Sequence, residues 1–339
     1  MAWAPNGLLP APSVPPGVVR VDVIAYSPTE VLEESDVTVG RARELTEKYP
    51  VTWIDIIDPE PHVLQELETL FGLHPLALED AGRVDTPPKV ETYGDVLFLV
   101  ARTIVWSEEI ETDQLSLFLS KRFVITIHDK VFPQLEDVRV RIRRRAPRLM
   151  KAGSDFLCYT ILDTLVDSYF PHLDRMEGII NSLEVELIER TADPRGIAKL
   201  HAIRSDLLLL RNALRPQRDA FASLARLELP LFKKETRDYL RDVYDHMIRV
   251  LDTLDTYREI VASLMEVQST LVSNSINEVI KVLTVIFTVT LPLAILTSAF
   301  GMNVDFPGRD NAFGLAFAVV LMAAATGLMV LFLRRRRWL

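Results

Sequence analysis

Two uncharged apolar runs near the C-terminal end, Val282 to Phe300 and Ala312 to Leu333, constrain this chain more than any other feature. They hold about 19 and about 22 residues, enough at ~1.5 Å per residue for each to cross a bilayer core as a helix. Lipid leaves no other choice, because every backbone N–H and C=O must be satisfied inside the segment. Pro292 in the first run is tolerable there, since neighbouring helices and waters can satisfy the freed carbonyl, and it predicts a mild kink. Hydrophobic residues make up 49% of the chain. The excess lies almost wholly after Val279, so a body of ordinary soluble charge density precedes a membrane tail.

Lys281 precedes the first run and Arg334, Arg335, Arg336 and Arg337 follow the second. The positive-inside rule then puts both flanks and the large N-terminal body in the cytoplasm, with the loop 301–311 outside, in a multi-pass protein of the cell (inner) membrane. The opening MAWAPNGLLPAPSVPPG has no basic n-region and no unbroken apolar core, which predicts a flexible Pro-rich tail over 1–17 and leaves insertion to the first span. Cys158 is the only cysteine, so no disulfide framework is expected, in keeping with a reducing compartment. A formal charge of −9 argues against nucleic acid as a partner and favours cations.

The body itself has two parts. Over 18–150 the runs VVRVDVIAY, VTWIDII, DVLFLVARTIV, QLSLFLS and FVITIHD predict strands, the last two joined as a hairpin by Ser120, Lys121 and Arg122. HVLQELETLFGL between the second and third predicts a helix that Asp58-Pro59 starts and Gly72 stops, giving a cytoplasmic α/β domain. Over 151–278 the pattern is helical. Residues 155–190 read as one long helix, a second run covers Ile197 to about Leu227, and Asp193, Pro194 and Gly196 mark the break between them.

A third run begins near Glu235, with Leu240, Val243, Met247, Val250, Leu254, Tyr257, Val261 and Leu264 in steps of three and four. Such a stripe is a coiled-coil-like seam. With no clear breaker before Phe300, it predicts a rod of about 100 Å. A lone helix of that length needs neighbours, which points to oligomerisation. Asp238, Asp242, Asp245, Asp252 and Glu259 fall near one face of the same helix, and the plain reading of such a stripe is a solvated surface.

One helix pair has no interior, so a hydrophilic path requires several copies. In a ring, the first span (279–300) would turn inward Asn277, Thr284, Thr288 or Leu291, and Ser298, which recur at helical intervals. Each hydroxyl can equally bond back to its own helix.

The loop is more specific. Gly301-Met302-Asn303, just after a proline-bearing penultimate span and before one final span (312–333) and a basic end (334–339), resembles the signature of the CorA magnesium transporter family. HPLALEDAGRVDTPPKVETYGDVLFLV, RDVYDHMIRVLDTLDTYREIV, SNSINEVIKVLTVI and RRRRWL extend the resemblance over nearly the whole chain. It implies an α+β membrane protein: a cytoplasmic α/β domain, very long helices forming a funnel and two C-terminal transmembrane helices, assembled as a homopentamer. It further implies channel-like uptake of Mg²⁺, with Co²⁺ or Ni²⁺ as further cargo, driven by the membrane potential. Asn303 would ring the outer mouth, Asn277, Leu283, Thr284, Leu291, Ala294 and Ser298 would line the pore, and Lys281 with Arg334 to Arg337 would form a basic cytoplasmic ring. Regulatory Mg²⁺ would sit between subunits at Asp80 and Asp242, with a weaker site at Glu79 and Asp163.

The pattern departs from the family in places. Val304-Asp305 follows the tripeptide where many magnesium members carry an aromatic residue and glutamate, and Ala294 stands where threonine is frequent. Zinc-transporting relatives can have valine after the asparagine, so zinc transport within the same superfamily is the alternative. The six histidines are scattered, without the paired spacing of a zinc centre. A membrane-anchored signalling protein would explain the body but not the loop. An enzyme would need a hydrolase motif or a phosphate cradle, and neither pattern occurs.

Overall fold

A computed structural model of the chain describes residues 19–107, 109–189, 194–227, 229–302, 312–336 and 338. The Pro-rich tail, Asn303 with the rest of the external loop, Asp193 and Arg337 lie outside the described residues. In chain order the elements are β1 Arg20–Tyr26, β2 Val31–Glu34, α1 Val39–Lys48, β3 Val51–Ile57, α2 Pro61–Phe71, α3 Pro75–Ala81, β4 Lys89–Tyr93, β5 Val96–Trp106, β6 Ile110–Leu119 and β7 Phe123–His128. Helices follow: α4 Pro133–Arg143, α5 Pro147–Lys151, α6 Ser154–Asp167, α7 Tyr169–Glu189, α8 Pro194–Arg226, α9 Lys234–Gly301 and α10 Ala312–Arg335. The chain divides into two compact units, one running up to Leu183 and taking in Lys199–Ala262, the other formed by Glu184–Ala198 and Ser263–Leu339.

The seven strands make one sheet in the order β2-β1-β3-β7-β6-β5-β4, antiparallel except for β3 beside β7. All five strands expected from β-branched runs are present. The two unexpected ones, β2 (VLEE) and β4 (KVETY), are the edges, where a strand has one partner and stays partly exposed, so its sequence carries little hydrophobic signal. Helix α2 ends at Gly72, whose φ of 64° suits a residue without Cβ and whose N–H closes on Glu68 O. It begins at Pro61 rather than at Asp58-Pro59: Glu60 is the N-cap, and Asp58 has left-handed backbone at φ 51°.

Strand alternation sends Val21, Val23, Ala25, Ile54, Ile56, Phe98, Val100, Phe118, Ile125 and Ile127 to one face, where they pack with α1, α2 and α3 through Leu45, Leu67, Phe71 and Leu78. The opposite face is buried too, and α6 packs on it along β6 and β7. Here the register sets Asp22 opposite Asp55, with Thr126 beside Asp55 on β7. Two adjacent buried carboxylates need positive charge, and Arg139 of α4 supplies it, bonding Asp55 and lying 3.7 Å from Asp22 Oδ2 with its guanidinium over Trp53. His128 completes the set, with Nε2 2.9 Å from Asp55 Oδ1 and Nδ1 2.6 Å from Lys130 O. Burial opposes the Asp55 charge, but His128, Arg139 and the Thr126 hydroxyl outweigh it and hold the carboxyl below its ordinary value.

Three helical expectations need correction. The stretch 155–190 is two helices, α6 and α7, separated at Ser168. Pro171 is the reason, since it has no N–H for the carbonyl of Asp167 and its ring crowds that carbonyl. Gly196 is not a breaker but lies inside α8, where a Cβ would fall 2.7 Å from Leu187 Cδ2. The stripe is buried within the single chain from Leu240, Val243, Met247, Val250, Leu254 and Tyr257 to Val261, with Leu264 half-buried at its end, so up to Val261 it is a core face and needs no second copy to cover it.

Helices α9 and α10 contain the two apolar runs and are long and apolar enough to cross a membrane. Helix α9 continues through Pro292. Val282, Leu283, Phe287, Leu291 and Ile295 are each more than half exposed in the isolated chain, a surface that only lipid or further copies can cover.

Candidate functional site

The first acidic centre is built by the seam between α6 and α9. Asp155 Oδ2, buried at the start of α6, accepts from Lys233 N at 3.1 Å and from the Thr236 hydroxyl at 2.7 Å, which ties the first turns of the two helices together. Eight residues beyond Asp155 stands Asp163, and eight beyond Lys234 stands Asp242. Equal rises of about 12 Å therefore bring both carboxylates to the same level. Phe156, Tyr159 and Tyr239 fill the seam below them, with ring centroids 5.1 to 5.6 Å apart.

At that level one ligand atom each from Asp163, Asp242 and His246 lie within 4.8 Å of one another. His246 Nδ1 is 3.4 Å from Asp167 Oδ1 and Nε2 is 4.0 Å from Asp242 Oδ2, so one imidazole faces three carboxylates. Burial raises the Asp163 carboxyl above its usual range and Asp167 raises it further, while Tyr159, Arg141 and His246 pull the other way. The Tyr159 hydroxyl is pushed up by burial first and then by Asp163. The centre carries excess negative charge, and its carboxylate oxygens with one nitrogen form a donor set that suits a divalent ion.

The second centre lies on α3. His74 caps that helix, its Nδ1 accepting from Leu76 N at 3.2 Å. Asp80 is held by its backbone carbonyl, which accepts from the Thr86 hydroxyl at 3.0 Å and from Gln114 Nε2 at 2.9 Å. Its carboxylate takes the Lys89 ammonium at 2.7 Å. Lys89 also reaches Glu91 at 2.9 Å and stands 5.7 Å from the Phe98 ring centre. Burial works against the ammonium, but Asp80 and Glu91 outweigh it and keep Lys89 above its ordinary value. Glu79 is exposed and pairs with Arg83 at 2.7 Å.

Within one chain, then, Asp163 joins Asp242, whereas Asp80 and Glu79 each rest on a basic residue of their own neighbourhood. The rest of the acidic stripe, Asp238, Asp245, Asp252 and Glu259, is exposed. His246, Asp167 and Lys89 were missed by sequence reasoning. The first two carried a signal, since each stands four residues after an acid on the same helix, and such positions share a face. Lys89 carried none, because its meeting with Asp80 depends on how β4 is placed beside α3.

The membrane segment presents a third feature. Asn277, Thr284, Leu291 and Ser298 are spaced by sevens on α9, drifting only about 20° per step, so they form one line along it. Ala294 borders that line, and Leu283 stands one residue, about 100°, from Thr284. The Thr284 hydroxyl donates back to Ile280 O at 2.7 Å. Ala294, Ile295, Ser298, Ala299 and Met302 line a shallow, mostly apolar groove of about 390 Å³ just before the loop. Gly301 ends the helix and Met302 is exposed. Arg334, Arg335 and Arg336 are exposed at the end of α10, the last standing 5.9 Å from the Phe332 ring centre.

The family described as CorA-like Mg²⁺ transporter protein matches residues 50–335. The chain is 34% identical over 345 residues to the cobalt/magnesium transport protein CorA of Thermotoga maritima, spanning 99% of this chain and 98% of that one. It is 26% identical over 257 residues to the zinc transport protein ZntB of Yersinia pestis, spanning 74% and 77%. The complete structure of the CorA magnesium transporter from Methanocaldococcus jannaschii superposes with a TM-score of 0.83 at 25% identity, over 94% of this chain and 98% of that one.

Proposed function

The chain belongs to the CorA family of Mg²⁺ transporters, and from that premise we propose that it assembles as a homopentameric channel for uptake of Mg²⁺, with Co²⁺ or Ni²⁺ as further cargo. The observation that carries this is the line Asn277, Thr284, Leu291 and Ser298 along α9, which is uncharged from Val282 onward and leads directly into Gly301-Met302-Asn303. Five such lines around an axis, with Leu283 and Ala294 at their borders as further lining residues, enclose a narrow, partly polar path; α10 shields it from lipid. Mg²⁺ dehydrates reluctantly, so five Asn303 amides at the outer mouth hold the ion through its waters rather than stripping them. A dication moving inward through about 100 mV gains roughly 4.6 kcal/mol, so the membrane potential suffices as drive. Both termini are cytoplasmic, and Lys281 with Arg334 to Arg337 forms a basic collar at the inner end.

Regulation by internal Mg²⁺ follows from the two acidic centres. Asp80 of one subunit shares an ion with Asp242 of the next, and Glu79 faces Asp163 in the same way. The bound ion offsets carboxylate repulsion and holds the closed ring together; its loss loosens the ring. His246 beside Asp163 and Asp242 favours a second reading, because imidazole suits Co²⁺, Ni²⁺ and Zn²⁺ better than Mg²⁺. Val304 after the asparagine agrees with zinc as that alternative cargo.

The test is ion influx into liposomes carrying the purified protein under an imposed inside-negative potential. Mg²⁺ entry that rises with the potential and is shared by Co²⁺ is expected. Entry of Zn²⁺ alone would transfer the reading to zinc, and absence of any cation flux would overturn the channel.

A further inference from the structure

The ammonium of Lys89 occupies the carboxylate that the regulatory reading assigns to a cation. It is anchored at Asp80 Oδ2 (2.7 Å) and Glu91 Oε2 (2.9 Å) and stands above Phe98, while Glu91 is itself fixed by the Tyr93 hydroxyl at 2.8 Å. The two carboxylates are therefore alternative resting places for one charge. The backbone from which Asp80 projects is fixed beside it, its carbonyl being tied to Thr86 and Gln114.

We propose that Lys89 is a built-in competitor for the divalent ion at Asp80, and that it sets the Mg²⁺ concentration at which the regulatory site fills. This rests on the reading of Asp80 as a cation ligand. A dication approaching Asp80 meets a positive charge already in contact with the carboxylate, so it binds only after the ammonium withdraws to Glu91, which stays close enough to hold it. With the ion gone, Lys89 returns and neutralises Asp80 within its own subunit. The carboxylate is thus never left bare, and the apparent affinity for Mg²⁺ is lowered to suit a signal at cellular concentrations.

The experiment is a Mg²⁺ titration of protease protection on the full-length oligomer in detergent, comparing wild type with Lys89→Met, Lys89→Arg, Glu91→Gln and Asp80→Asn. Lys89→Met should lower the protection midpoint about tenfold, the size expected for one charge about 5 Å from a dication in a water-like dielectric. Lys89→Arg, which keeps the charge, should stay near wild type. Glu91→Gln should raise the midpoint, because the ammonium then has only Asp80 to rest on. A Lys89→Met variant that was merely destabilised would be cut more readily at every Mg²⁺ concentration, the opposite sign. If Asp80→Asn shifts the titration while Lys89→Met and Glu91→Gln leave the midpoint where it was, the competitor role is wrong and the site stands. If Asp80→Asn titrates as wild type, the ion does not bind at Asp80 and both readings fall.

Discussion

Asp155 and Thr236 are joined by a 2.7 Å hydrogen bond from the threonine hydroxyl to the buried carboxylate, which also accepts the Lys233 N–H. This contact sets the relative level of α6 and α9, and hence of Asp163 and Asp242. Asp155→Ala should cost about 3 kcal/mol, because it leaves two donors unsatisfied beside a vacated polar site. Asp155→Asn should cost less, because both donors meet one oxygen and an amide oxygen in its place still accepts them. Thermal unfolding of the full-length protein in detergent ranks the three, and equal midpoints would remove the anchor role.

The cluster around Asp55 predicts a pH dependence of defined sign. Its carboxyl is held below the ordinary value of 3.8, so its contribution is fully present above that pH and is lost as pH falls below it through the lower folded value. Asp55→Asn should destabilise the domain by about 3 kcal/mol at neutral pH, since Arg139 loses a buried counter-charge beside it. The gap between variant and wild type should narrow on acidification below 3.8. A gap constant with pH would show that the carboxylate charge is not what holds this face together.

At the outer mouth, Asn303→Ala should abolish Mg²⁺ influx or reduce it severely while the oligomer stays intact, because one uncharged side chain per subunit contributes little to assembly. Influx into liposomes, measured on size-verified oligomer, is the check. Wild-type flux would end the selectivity role.

For the topology, Asp310→Cys in a Cys158→Ala background should react with an impermeant thiol reagent added to intact cells. Asp310 lies in the loop outside the described residues. Cys158 is the chain's single cysteine, so its replacement leaves the introduced thiol as the one target. Labelling confined to permeabilised cells would reverse the proposed orientation.

The proposed regulation predicts that millimolar Mg²⁺ protects helices α6 to α9 of the wild type from protease and protects Asp80→Asn and Asp242→Asn less. Identical responses in all three would leave the acidic stripe as a solvated face.

What could be read in advance followed from how local each signal is. The runs VTWIDII and FVITIHD are unmistakable as strands because both faces of β3 and β7 are buried, whereas KVETY at an edge is not. Pro171 is sufficient to split α6 from α7, but its signal is masked by the apolar helical pattern on either side of it. The periodicity from Leu240 to Val261 correctly marked a buried face, but periodicity does not say what covers it, and the cover lies within the same chain. Asp80, Asp163 and Asp242 could be picked out by family resemblance, yet the level at which Asp163 meets Asp242 depends on a bond 81 residues apart in sequence, from Thr236 to Asp155. Lys89 and Asp80 meet only once α3 and the sheet edge have been assembled.

The bond from the Thr284 hydroxyl to Ile280 O has a consequence for what may pass along that face. A threonine has one hydroxyl proton, and here it is committed to the helix, so the oxygen turned outward offers lone pairs and no hydrogen. The outer surface of a hydrated cation is made of water hydrogens, which such an oxygen accepts. Water around an anion spends one of its two hydrogens on the ion, so that shell offers fewer hydrogens to an oxygen that can only accept. In the proposed channel, a local bond that stiffens one turn of the helix thereby tilts that level of the conduit toward cations through the orientation of their water, without placing any charge in the membrane.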